Sequence, residues 1–79
     1  MEIEVKLFGN MEQYRPEGTD RLSFKRSADE GSTVQHLIRD LAIPENVHVL
    51  AIINGKMSEP GYVLKDGDEV TLFSPVGGG

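Results

Sequence analysis

The chain has 79 residues, no cysteine, and thirteen acidic against eight basic residues, which gives a net charge of −5. This length fits one small domain, and the lack of cysteine excludes disulfides, thiolate metal ligands and a cysteine nucleophile. The acidic balance argues against nucleic acid as a partner, because phosphates repel it. No apolar run suits a signal peptide or a membrane span, so we expect no membrane partner and a cytoplasmic location.

The N-terminal third of the chain predicts two strands. Polar and apolar residues alternate over residues 2–8, which is typical of a half-buried strand whose core-facing residues are Ile3, Val5 and Leu7. Residues 10–19 are polar and include a proline and a glycine, so we predict a turn there. A second strand is predicted at residues 22–24, antiparallel to the first.

One helix is predicted in the middle of the chain. We expect it to begin at Ser32, with Gln35 completing a capping box. Its end is predicted at Ile43-Pro44, because proline cannot continue the hydrogen-bond ladder. Apolar residues recur at helical spacing and predict one buried face, formed by Val34, Leu37, Ile38 and Leu41.

The C-terminal half predicts two further strands. A dense β-branched run over residues 49–53 favours a well-buried strand, which a tight turn at Asn54-Gly55 ends. An irregular piece follows, and Asp66-Gly67 turns the chain into a last strand, residues 69–73. The acidic residues of that turn are expected to be solvated, although they could also pair with a partner's arginine.

This order of elements predicts an α+β domain of two layers. At this length we expect a β-grasp fold, a mixed four-to-five-stranded sheet packed on one main helix, with the first and last strands parallel at its centre. We assign residues 1–75 to this domain and residues 76–79 to a flexible glycine tail.

The tail is the candidate site of chemistry. Glycines pass through channels too narrow for side chains, and from Ser74 to Gly79 an extended chain reaches about 20 Å. The Gly79 carboxylate, with a pKa of ~3.5, is a poor electrophile until an ATP-dependent partner converts it to an acyl-adenylate. Composition alone equally allows a frayed end without a function.

Residues 64–79, LKDGDEVTLFSPVGGG, closely resemble the C-terminus of the ubiquitin-like sulfur carriers of the MoaD/ThiS family. This family includes the small subunit of molybdopterin synthase and the thiamine-pathway carrier, and residues 51–55, AIING, also match its pattern. The resemblance implies a ubiquitin-like β-grasp fold and adenylation of Gly79 by a partner that resembles the ubiquitin-activating enzymes. Sulfur transfer would then make a thiocarboxylate, and Gly77 and Gly78 would thread into the partner's active site. Gly77 departs from many members, which have another small residue there.

The resemblance also implies a sulfur-accepting synthase as a second partner, such as the molybdopterin synthase large subunit. We expect no bound cofactor, since the activating partner uses the ATP, and no independent catalysis, since no nucleophile–base pair is evident. His36 and His48 have no partner at ligand spacing, so no metal site is expected, and His36 is expected to be solvated. The alternatives are a thiamine-pathway carrier, a protein modifier attached through Gly79, and a non-covalent binding module.

A docking surface is predicted beside the tail. If the alternate residues of the first and last strands face the core, Phe8 and Phe73 face away from it on neighbouring strands. Together with Pro75 and Val76 they are candidate partner-docking residues. The alternative is that one of the two phenylalanines caps the core.

Overall fold

The computed structural model describes residues 1–75. Within them lie five strands, one α-helix and one 3₁₀ helix: β1 Glu2–Leu7, the 3₁₀ helix Gly9–Tyr14, β2 Phe24–Ser27, α1 Val34–Asp40, β3 Leu50–Ile53, β4 Lys56–Ser58 and β5 Glu69–Phe73. The strands form one sheet in the order β2-β1-β5-β3-β4, in which only the central pair, β1 and β5, is parallel. This arrangement confirms the β-grasp prediction.

The core lies between one face of the sheet and α1. Every second residue of β1 is buried, as the alternation predicts, and so are Val70 and Leu72 of β5. The predicted helical face is buried as well, and it joins the sheet residues in one cluster. Burial of each large aliphatic side chain stabilises the fold by roughly 1.5–3 kcal/mol, so this cluster holds the two layers together.

The helix begins one residue later than the sequence predicts. Thr33, and not Ser32, is the N-cap: its hydroxyl accepts from the His36 N–H, and Nδ1 of His36 accepts from the Thr33 N–H at 3.0 Å. The carbonyl of Ser32 is already bound to the N–H of Leu64. Because this bond keeps Ser32 in the extended segment before the helix, the cap falls on Thr33. His36 completes the capping box with its side chain, so it has a structural role and is not only solvated. The helix ends at Asp40, a little before the predicted stop.

The second strand begins two residues later than predicted. Leu22 is 82% exposed, whereas Phe24 is buried and pairs with Val5. β2 then continues to Ser27 as a polar edge strand. With a single apolar residue facing the core, its sequence contains too little alternation to set the register.

The stretch predicted as a turn contains the 3₁₀ helix. Gly9 opens it with a φ of 58°, a conformation that suits glycine. Met11 is completely buried, and Tyr14, one 3₁₀ turn later, packs against the same core. Two apolar residues are too few to show a helical period in the sequence.

The third strand is less buried than the predicted well-buried strand. Its alternate residues lie in the core, but Leu50 and Ile52 are half-buried on the opposite face. The Asn54-Gly55 turn is confirmed, with φ values of 51° and 88°. It leads into β4, so the predicted irregular piece begins with a fifth strand, at the edge of the sheet.

Candidate functional site

The last described residues lie where the two central strands end side by side. The N–H of Phe8 donates to the carbonyl of Leu72 at 3.0 Å, which continues the parallel pairing beyond β1. Phe8 and Phe73 therefore occupy neighbouring positions at this end of the sheet. Ser74 and Pro75 follow, and we call them the tail root. Because β5 is paired on both sides, the position of the tail root is set by the centre of the sheet.

An apolar surface lies on the sheet face that points away from the core. Phe73 lies opposite Leu50 on β3, and Ile52 lies opposite Met57 on β4. Phe8 is 57% exposed and Met57 is 61% exposed, while the other three are half-buried. We call this set the outer-face patch: Phe8, Leu50, Ile52, Met57 and Phe73. It extends from the tail root across β5 and β3 to the β4 edge.

The sequence patterns predict two members of the outer-face patch, Phe8 and Phe73. They do not predict the other three, Leu50, Ile52 and Met57. Leu50 and Ile52 are not predicted as surface residues, because the β-branched run indicates a well-buried strand. A strict period of two would have placed them together on one face. Met57 had no such signal, since its place depends on the register of the β3–β4 hairpin.

The other end of the outer face is charged. Lys6 pairs with Glu69 at 3.4 Å, and Lys25 lies 4.0 Å from Glu2. The hydroxyl of Ser23 donates to Glu4 at 3.1 Å. These partly exposed pairs add little stability, but they confine the apolar surface to the end of the sheet that carries the tail root.

A polar network fixes the start of β5. Asp68 is 5% exposed, and its carboxylate accepts from the Asn54 amide, the Lys65 N–H and the Tyr62 hydroxyl at 2.9, 2.9 and 3.2 Å. Asp66 accepts from the N–H of Glu2 at 2.8 Å. Asp68 is therefore a structural clamp and is not solvated as predicted, whereas Asp66 in the same turn is exposed, as predicted.

The same contacts shift two pKa values. Burial raises the pKa of the Asp68 carboxyl, but three hydrogen bonds and the charge of Lys65 outweigh it and hold the pKa below its usual value. Burial, and then the hydrogen bond and charge of Asp68, raise the pKa of the Tyr62 phenol. Asp68 therefore stays an anion over the neutral range and keeps its three donors.

Of the residues predicted to act, the structure brings Phe8, Phe73 and Pro75 together at one end of the sheet. Val76, Gly77, Gly78 and Gly79 lie outside the described residues, so their roles stay predictions. Within residues 1–75 no group of three His, Asp or Glu is placed to hold a metal ion, and no helix there could span a membrane.

Solved structures resemble the chain along its whole length. SAMP1 from Haloferax volcanii is 25% identical, with 100% of both chains covered and a TM-score of 0.73. The putative molybdopterin converting factor, subunit 1, from Pyrococcus furiosus is 28% identical, with 95% of this chain and 98% of that chain covered and a TM-score of 0.74. No curated protein sequence matches the chain significantly.

A further solved structure supports the fold, and a family model shows the protein family to which the chain belongs. A chain from the complex of subunits 1 and 2 of the molybdopterin-converting factor from Helicobacter pylori is 22% identical, with 100% of both chains covered and a TM-score of 0.59. The model of the ThiS family matches residues 5–79, from β1 through the tail root to the last glycine. The chain therefore belongs to the ThiS family of ubiquitin-like proteins.

Proposed function

We propose that the chain is a sulfur carrier that works through Gly79. A partner enzyme adenylates the Gly79 carboxylate with ATP, sulfur transfer converts it to a thiocarboxylate, and the carrier donates this sulfur in molybdopterin biosynthesis or a related pathway. One observation carries the proposal: the central strand β5 ends beside the outer-face patch and directs the chain out of the sheet there. The match to the ThiS family extends over the residues that follow.

The chemistry requires only a carboxylate delivered to a partner's active site. The Gly79 carboxylate attacks the α-phosphorus of ATP, which forms an acyl-adenylate and releases pyrophosphate. Hydrosulfide then adds to the acyl carbon and AMP leaves, so that a thiocarboxylate forms and one proton is released. The carrier needs no acid, base or nucleophile of its own for either step, which fits a co-substrate or a synthase subunit.

The outer-face patch supplies the docking surface in this proposal. Exposed apolar residues next to a reactive segment suit a partner surface with an apolar centre and a polar rim. Two of the similar structures support a synthase subunit as one such partner: one is a putative molybdopterin converting factor subunit 1, and the other comes from a complex of subunits 1 and 2 of that factor. We expect the adenylating enzyme to bind the same surface, at a step before the loaded carrier meets the synthase. Both steps are expected to take place in the cytoplasm.

Mass spectrometry of the intact chain tests the proposal. After incubation with its adenylyltransferase, ATP and sulfide, the chain should gain the mass difference between sulfur and oxygen, and its C-terminal peptide should carry this gain at Gly79. Omission of ATP is the control. An unchanged mass, in the presence of an enzyme shown to load another ThiS-family carrier, would contradict the proposal. Sulfur transfer from the loaded chain to a molybdopterin synthase large subunit or to a thiazole synthase then identifies the pathway.

A second function, protein modification, is favoured by one comparison. Haloferax volcanii small archaeal modifier protein 1 shares the fold, with a TM-score of 0.72 at 24% identity. In this alternative a lysine amine of a target protein attacks the acyl carbon of the same acyl-adenylate, AMP leaves with release of a proton, and an isopeptide bond forms. Adducts of higher mass that survive boiling and thiol would support the modifier. Because Lys65 is the last site for trypsin in the chain, a tryptic peptide with residues 66–79 attached to a lysine would identify the target site.

A further inference from the structure

A concavity of about 310 Å³ lies at the tail root and is separate from the outer-face patch. Three segments meet to form it: the 3₁₀ helix, the loop before β3, and the tail root itself. Its walls include Met11, Gln13, Tyr14, Asn46, His48 and Ser74. None of these residues belongs to the outer-face patch, so the tail root has two distinct surfaces beside it. We call this concavity the tail-root cavity.

The lining of the tail-root cavity is neutral and amphipathic. Although the chain has a net charge of −5, no Asp, Glu, Lys or Arg is among the described residues that line it. The half-buried Tyr14 and Val47 supply its apolar floor, and the exposed Gln13, Asn46 and His48 form its rim. An apolar floor with uncharged donors and acceptors around it suits a side chain with an apolar body and a polar tip. Tyrosine and tryptophan have this character.

The length of the remaining chain places a partner over this cavity. Four residues follow Pro75 in the sequence, and four residues span at most ~14 Å. The partner's reacting atoms must therefore lie within about this distance of Pro75, while Ser74 in the cavity wall is only one residue farther back. A stable protein–protein interface covers about 800 Å² on each partner, which is ample to reach the cavity.

We propose that the adenylyltransferase, when it takes up residues 76–79, inserts a tyrosine or tryptophan side chain into the tail-root cavity. This inference rests on the proposed function and adds a second anchor to the outer-face patch. With one contact on each surface beside the tail root, the partner controls the direction in which the tail enters its active site. Buried aromatic anchors of this kind carry much of the binding energy of protein interfaces.

Two matched substitutions test the anchor. Gln13 lines the tail-root cavity, whereas Gln35 on α1 lines a neighbouring concavity. The two concavities share residues 46–48 of the loop before β3 but neither glutamine, and both glutamines are exposed. In pyrophosphate exchange with the adenylyltransferase that loads the wild-type chain, Gln13→Trp should raise the KM for the carrier about tenfold or more. Its kcat should stay within about twofold, because lost docking weakens binding and not chemistry. Gln35→Trp should leave both constants unchanged.

A second variant protects the test against misfolding. Asn46→Trp alters the cavity from the loop before β3 and should raise the KM in the same way, with Tm values used to show that each variant folds. Asn46 also lines the Gln35 concavity, so the unchanged KM of Gln35→Trp is what assigns its effect to the tail-root cavity. Wild-type KM values in the folded Gln13→Trp or Asn46→Trp variant would overturn the anchor and leave the proposed function intact. If the wild-type chain itself is never adenylated, the proposed function and the anchor both fail.

Discussion

The side-chain amide of Asn54 donates a hydrogen bond to Asp68 at 2.9 Å and so joins two turns of the chain. Asn54 has a positive φ in the β3–β4 turn, and its own side-chain oxygen accepts from the N–H of Glu69 at 2.9 Å. These contacts fix the first residue of β5 against the neighbouring hairpin. Since β5 ends at the tail root, this clamp helps to set where the reactive segment leaves the sheet.

The clamp should contribute measurably to stability. Tyr62→Phe removes one donor and should lower the free energy of unfolding by about 1 kcal/mol. Asp68→Asn should cost about 2–3 kcal/mol or more, because it removes the charge and places an amide N–H among three donors. Urea unfolding measures both changes. Tyr14→Phe is the control, since its hydroxyl is not part of the network, and equal losses in the two Tyr→Phe variants would contradict this role.

Asp68 should also make the fold sensitive to acid. Its pKa is lower in the folded chain, so as the pH falls the unfolded chain binds the proton first and stability decreases. The contribution is fully present above the ordinary Asp pKa of ~3.9 and is lost as the pH falls through the lowered pKa. Between about pH 6 and about pH 3 the wild-type protein should therefore lose more unfolding free energy than Asp68→Asn, which has no carboxyl to titrate there. Equal losses would show that Asp68 is not the group responsible.

The outer-face patch should matter for partner binding and not for folding. Phe8→Ala removes an exposed ring and should weaken binding to the adenylyltransferase by about tenfold or more, while Tm changes little. Val63→Ala is the matched control, because Val63 is 50% exposed but lies outside the patch. Isothermal titration measures both affinities. A similar affinity loss in the two variants would mean that the patch has no special role.

The glycines before Gly79 should be required for loading. Gly78→Ala places a methyl group in the segment that enters the partner, and a narrow channel should reject it with a loss of about tenfold or more in kcat/KM. Gly61→Ala is the control, since a Cβ at Gly61 has nothing within 4 Å. If both variants are loaded at the wild-type rate, the proposed narrow channel is excluded.

Sequence patterns predicted the elements whose side chains repeat with a clear period. The alternation of β1 and β5 and the helical spacing of α1 are each set by which face meets the core, so the buried residues could be named directly. The Asn54-Gly55 turn was predictable because few residue pairs accept two positive φ values. By contrast, Met11, Phe24 and Met57 have no repeated pattern around them, and their positions depend on neighbours distant in the chain.

By itself the sequence determined the order of four strands and one helix that is typical of a β-grasp fold, and the closing segment that resembles the sulfur carriers. Only the tertiary structure decided that Asp68 is a buried clamp, that Met57 extends the outer-face patch, and that the 3₁₀ helix and the loop before β3 meet at Ser74. The physical reason is that periodicity shows which residues of one element share a face. It does not show which elements become neighbours, and hydrogen-bond donors, patches and cavities arise only where they meet.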